Sequence, residues 1–92
     1  MFKDTATSEQ LRVREVVWNS VQPFVGKPKT PQLVDSILKA CRDALEGKYF
    51  VAYHDCSPET DLILLVGGRT ESGLYTIDTI LMNDVFQTEN NG

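Results

Sequence analysis

Apolar residues recur along the first third of the chain at the spacing of a helix. Val13, Val17, Val21 and Phe24 fall on one strip, with Leu11, Trp18 and Val25 on a neighbouring one. Thr7 and Gln10 have the form of a capping box ahead of this run, and Pro23 cannot continue it. The pattern predicts a helix over 8–22. Its many valines lower helix propensity, so a strand over 11–18 is the competing reading.

PFVGKPKT, residues 23–30, reads as a connector with two prolines and a glycine, with Phe24 and Val25 still packing inward. Thr30 then has the chemistry of an N-cap, and Pro31 suits the first helical position, where a missing N–H costs nothing. Val34, Ile37, Leu38, Cys41 and Leu45 follow on one helical face, with Asp35, Lys39 and Asp43 opposite. Gly47 stands where a C-terminal cap belongs, so the second predicted helix is 31–46.

Past Gly47 the period drops to two. Residues 48–54 alternate, with Tyr49, Val51 and Tyr53 against Phe50, Ala52 and His54, as in a strand. Leu62 to Val66 is apolar without interruption, which suits a central strand covered on both faces. GGRTESG, residues 67–73, reads as a glycine-rich turn, and residues 74–82 alternate again. Residues 79–86 also fit helical spacing with Asp78 as a cap, so part of the last strand has a helical alternative.

The order of elements is α-α-β-β-β. Short connections make neighbouring strands antiparallel, so the expected fold is α+β, two N-terminal helices packed on a three-stranded antiparallel sheet. The expected limits are a loose arm at 1–6, one domain at 7–86 and a polar tail at 87–92. In element order alone this plan resembles the small dynein light chains, which bind partner peptides by strand addition. Their Trp-His and Gly-Phe-Gly-type motifs are absent here.

Composition narrows the function classes. The chain has 92 residues, 41% hydrophobic and 24% charged, which is ordinary for one globular domain. No apolar run approaches membrane-helix length, and the N-terminus lacks the apolar core of a secretion signal, so the expected location is cytoplasmic. The formal net charge is -4, concentrated after residue 47. With no basic run, nucleic-acid binding through Arg12, Arg14, Lys27 and Lys29 is disfavoured. Two cysteines do not make a disulfide framework.

The stretch His54-Asp55-Cys56 has the residue types of a thiol site, since a catalytic cysteine needs an imidazole to hold it as thiolate. Adjacent strand residues point to opposite faces, however. Zinc asks for three or four Cys or His ligands, and only Cys41, His54 and Cys56 exist. Asp55, Glu59 and Asp61 lack the spacing of a calcium loop. DCSPETD reads more simply as a polar turn braced by Asp, Ser and Pro58. Val66-Gly67-Gly68-Arg69 could cradle an anion only if a helix followed, and a strand is expected there. No catalytic residue, metal site or cofactor is assigned.

Partner binding is the remaining class. Tyr49 and Tyr53 share one face of the first strand. Leu74, Thr76, Asp78 and Ile80 line one face of the last strand. Either strand, as a sheet edge, could accept a partner strand. The expected function is a small non-enzymatic module that binds a partner protein or itself through a sheet edge. A viral or mobile-element component that inhibits a host protein is one alternative. An enzyme or ligand-binding domain using His54, Asp55 and Cys56 is another.

Overall fold

A computed structural model describes residues 7–87; the expected arm at 1–6 and all but Gln87 of the expected tail lie outside it. Helix α1 spans Ser8–Val21 and begins at the capping box. Thr7 Oγ1 accepts from the Gln10 N–H at 3.1 Å, and Gln10 Oε1 accepts from the Thr7 N–H at 2.8 Å. Val13, Val17 and Val21 are essentially inaccessible, so their burial outweighs their poor helix propensity. Pro23 opens a 3-10 turn, Gln22–Phe24, instead of ending the chain's curl. Phe24 packs on the core, but Val25 turns outward.

Helix α2 spans Pro31–Ala44, with Thr30 Oγ1 accepting from the Leu33 N–H at 3.1 Å. It ends two residues before the expected position. Glu46 and Gly47 both take left-handed backbone, at φ 61 and φ 71. Their N–H groups close back on the Asp43 and Arg42 carbonyls at 3.0 Å each.

The sheet is β2 (Phe50–Tyr53), β3 (Leu62–Thr70) and β4 (Gly73–Met82), antiparallel with β3 in the centre. A short parallel pair, β1 (Lys27–Pro28) with β5 (Phe86–Gln87), closes the molecule below the connector. The architecture is therefore α+β with the expected order of helices and antiparallel strands, plus this extra pair. The helical alternative over 79–86 is not formed. β4 continues to Met82, and the chain reverses at Asn83-Asp84, where Asp84 sits at φ 57. Asp61 Oδ1 holds the Asp84 N–H at 2.8 Å. That reversal carries Val85 and Phe86 into the core.

The glycine-rich turn expected at 67–73 is mostly strand. Only Glu71 and Ser72 turn the chain, followed by Gly73 at φ 137. Gly67 and Gly68 have ordinary extended backbone and serve close approach. A side-chain carbon on Gly67 would collide with the Tyr75 carbonyl and lie 2.6 Å from the Phe50 ring. On Gly68 it would meet the Tyr75 hydroxyl at 2.5 Å. The register shifts beside these glycines: Val66 pairs with Asp78 and Gly67 with Thr76, which leaves Ile77 as an extra residue in a bulge.

Both helices cover one face of the sheet. Val13, Val17 and Val21 of α1 and Val34, Ile37 and Cys41 of α2 form a single cluster with Val51, Leu62, Leu64, Val66, Ile80 and Met82.

The two glycines should differ in tolerance. Gly67→Ala meets backbone and is expected to lose about 2 kcal/mol, as overpacking does. Gly68→Ala meets only the tip of half-exposed Tyr75 and should cost less than about half of that. Urea unfolding of the two variants checks the order, and equal losses would contradict it.

Candidate functional site: the open face of the sheet

The His54 to Asp61 connection is braced by its own polar groups. His54 Nδ1 accepts from the Cys56 N–H at 3.1 Å. Ser57 Oγ donates to the His54 carbonyl at 2.7 Å and accepts from the Ile63 N–H at 3.1 Å. The imidazole is thus a turn brace, and among the described residues no hydrogen bond joins it to a thiol. The Cys56 thiol is exposed, and that of Cys41 is buried in the core, where burial pushes its pKa up to about 11. Among the described residues no group of three or more His, Cys, Asp or Glu converges as metal ligands would. Gly67 and Gly68 lie inside a strand with no helix after them, so the geometry of an anion cradle is not formed there.

Tyr49 and Tyr53 both lean against the core on the helix side. Tyr49 precedes β2, and its hydroxyl donates to Glu9 Oε2 at 2.6 Å. That bond, then burial and the Glu9 charge, raise the phenol above its ordinary pKa, against the pull of Arg12. A raised value means the contact holds through neutral pH and is lost only as pH climbs past the tyrosine range. Tyr53 lies under Lys29, whose ammonium is 5.0 Å from its ring and 5.2 Å from that of Phe86. A groove of about 400 Å³ opens between Lys29, Val34, Leu38 and Tyr53. Its cation is engaged with the Pro58 carbonyl at 3.1 Å.

The four residues expected to share a face of the last strand are split by the bulge. Leu74 and Thr76 are exposed, whereas Asp78 and Ile80 are buried on the helix side. Asp78 receives Arg14 through two bonds, Nε to Oδ2 at 2.6 Å and Nη2 to Oδ1 at 3.2 Å. It fastens α1 to the sheet, with its carboxylate turned to the helix side.

Each sheet edge also has one backbone carbonyl taken by a helix side chain. The His54 N–H donates to the Ile63 carbonyl at 3.0 Å, which leaves the backbone groups of Val51 and Tyr53 pointing away from β3. Arg42 Nη2 takes the Val51 carbonyl at 2.8 Å. On the opposite edge, Gln10 Nε2 takes the carbonyl of bulged Ile77 at 2.7 Å. A four-residue strand with a capped carbonyl and a strand interrupted by a bulge are both poor templates for strand addition.

What remains open is the face opposite the helices. Paired residues share a face, so the register places Phe50 with Gly67 and Thr76, Ala52 with Leu65 and Thr79, and Ile63 with Leu81 on that side. Leu74 pairs with Arg69, so one charged side chain joins this face, at its hairpin end. Leu81 is 58% exposed and Leu74, near the hairpin tip, 64%. None of these outer-face residues belongs to the buried cluster beneath the helices. The outer face is therefore an apolar surface without a covering layer among the described residues. Sequence reasoning singled out none of Phe50, Ala52, Ile63, Leu65 or Leu81. The signal was present in the unbroken apolar run Leu62–Val66, which asks for cover on two faces when two helices supply only one.

No helix of the described residues is long and apolar enough to cross a membrane. Comparison with protein-family models, curated proteins and solved structures returns no match.

Two measurements test these placements. A thiol-reactive probe at neutral pH should label one cysteine, Cys56, in the native protein and the second only on unfolding; two fast thiols would contradict the burial of Cys41. Arg14→Met strands a carboxylate in the core and should lose about 2 kcal/mol or more. Asp78→Ala leaves an arginine that water can reach and should lose less; thermal unfolding reads the difference.

Proposed function

We propose that this chain is a small non-enzymatic interaction module that docks a protein surface on the open face of its sheet. The observation that carries the reading is the row set of Phe50, Ala52, Ile63, Leu65 and Leu81, interrupted only by Thr76 and Thr79, with no helix over it among the described residues. Contiguous exposed apolar surface often marks a site of interaction. Strand addition at an edge is the weaker mode, because Arg42 and Gln10 occupy an outward carbonyl on each edge. Catalysis through His54 and Cys56 has little geometric support, since the imidazole nitrogen nearest the turn already accepts a backbone N–H.

Leu81→Lys is the decisive variant. Its side chain is exposed, so stability should stay within about 0.5 kcal/mol. Every specific protein contact the chain makes, whether with itself or with another protein, should be lost in a pull-down or by light scattering. The double variant His54→Ala with Cys56→Ala should keep those contacts. Association that survives Leu81→Lys would sink the proposal.

A further inference from the structure

We infer that the occupant of the open face is a second copy of this chain, related by a two-fold axis that lies in the interface at right angles to the strands. This rests on the docking reading above and adds to it the partner and its orientation. Charge distribution along the sheet is the first argument. At the end where β2 and β4 finish and β3 begins stand Asp55, Glu59, Asp61 and Asp84, with Lys29 reaching in from the helix side to the Pro58 carbonyl. At the other end stand Lys48 and Arg69 beside Phe50, with Glu46 and Glu71. Lys48 is paired with Glu46 at 3.2 Å. Arg69 is exposed and forms no ion pair among the described residues.

One end therefore keeps a net negative charge even with Lys27 and Lys29 beside it, and the other is near neutral, with a guanidinium on offer. With their strands aligned, two copies can stack face to face in two symmetric ways. An axis along the strands would bring acidic end onto acidic end. An axis across them brings each Arg69 towards the partner's acidic end, which charge complementarity selects. Between the ends the rows are uncharged, so the apolar contact desolvates no ion.

Fit is the second argument. Three strands about 4.8 Å apart, with β3 about 30 Å long, offer a footprint of roughly 400 Å². A copy of the same sheet matches that outline without overhang. Aligned sheets pack about 10 Å apart at a modest twist, giving four layers in which both central strands are covered on both faces. The footprint is below the ~800 Å² per partner of a standard interface. The dimer is accordingly weak, with a dissociation constant in the micromolar range or above.

Sedimentation over a concentration series tests this with the full chain. The expected result is a monomer–dimer equilibrium that Leu81→Lys abolishes. Arg69→Glu and Asp55→Lys, measured singly at low salt, should each weaken the dimer by about three- to tenfold. An equimolar mixture of the two variants should regain the parent affinity, because the heterodimer restores opposite charges at both ends. A parent chain that stays monomeric at high concentration, but captures another protein in a Leu81-dependent way, overturns the second copy and leaves the docking reading standing. A dimer that Leu81→Lys does not disturb overturns both. A Leu81-dependent dimer whose mixed variants associate no better than either alone overturns the proposed axis.

Discussion

The structure depends on one constraint: the central strand is apolar on both faces, and the helices reach only one. Leu62, Leu64 and Val66 are fully buried beneath α1 and α2. Ile63 and Leu65, from the same run, point to the uncovered side and are only partly shielded. Neighbouring strands supply that partial shield through Phe50, Ala52 and Leu81. Flat sheet surfaces of this kind pack well against another layer and poorly against water. The helix face satisfies the hydrophobic term for this chain. The outer face leaves a term outstanding, and the proposed docking follows from it.

The polar groups around the sheet reinforce that division. A buried carboxylate is tolerable only with a partner of fitting geometry. Asp78 has one, because Arg14 offers both Nε and Nη2 from α1. The bulge at Ile77 helps to make this possible. By inserting a residue, it ends the regular alternation at the level where the ion pair sits and aims the Ile77 carbonyl at Gln10. One turn of α1 thus fixes the helix on the sheet and obstructs the β4 edge together. Arg42 does the same on the other side by spanning from α2 to Val51. Charged and amide side chains guard the edges, while on the outer face the one charged side chain among the paired residues is Arg69, at the hairpin end.

Much of this architecture can be read from local signals. The capping box at Thr7 and the cap at Thr30 mark both helix starts, because a cap acts over three residues and needs no tertiary partner. Strand periodicity places β2 and β4 for similar reasons. What eludes the sequence depends on contacts far apart in the chain. Gly67 and Gly68 look like a turn because glycine usually signals positive φ; the reason for them here is the Phe50 ring and Tyr75, brought in by pairing. The bulge is invisible to an alternation rule, so Leu74 and Ile80 appear to share a face when they do not. The candidate site eluded reading for a related cause. An unbroken apolar run says that two faces want cover, but not which of the two lacks it.

Coverage of the outer face would also bear on folding. A chain of 92 residues has little surplus stability, since small domains bury a smaller fraction of their surface. Any partner that binds only the folded state stabilises it by mass action. A weak self-association would therefore do two things with one surface: raise stability as concentration rises, and withdraw an apolar face from indiscriminate contact. The obstructed edges matter to this outcome. With open edges, the same apolar rows would favour growth into extended sheets. With Arg42, Gln10 and the bulge in place, the proposed stacking across a two-fold axis would close after two copies, because each chain has one outer face to offer.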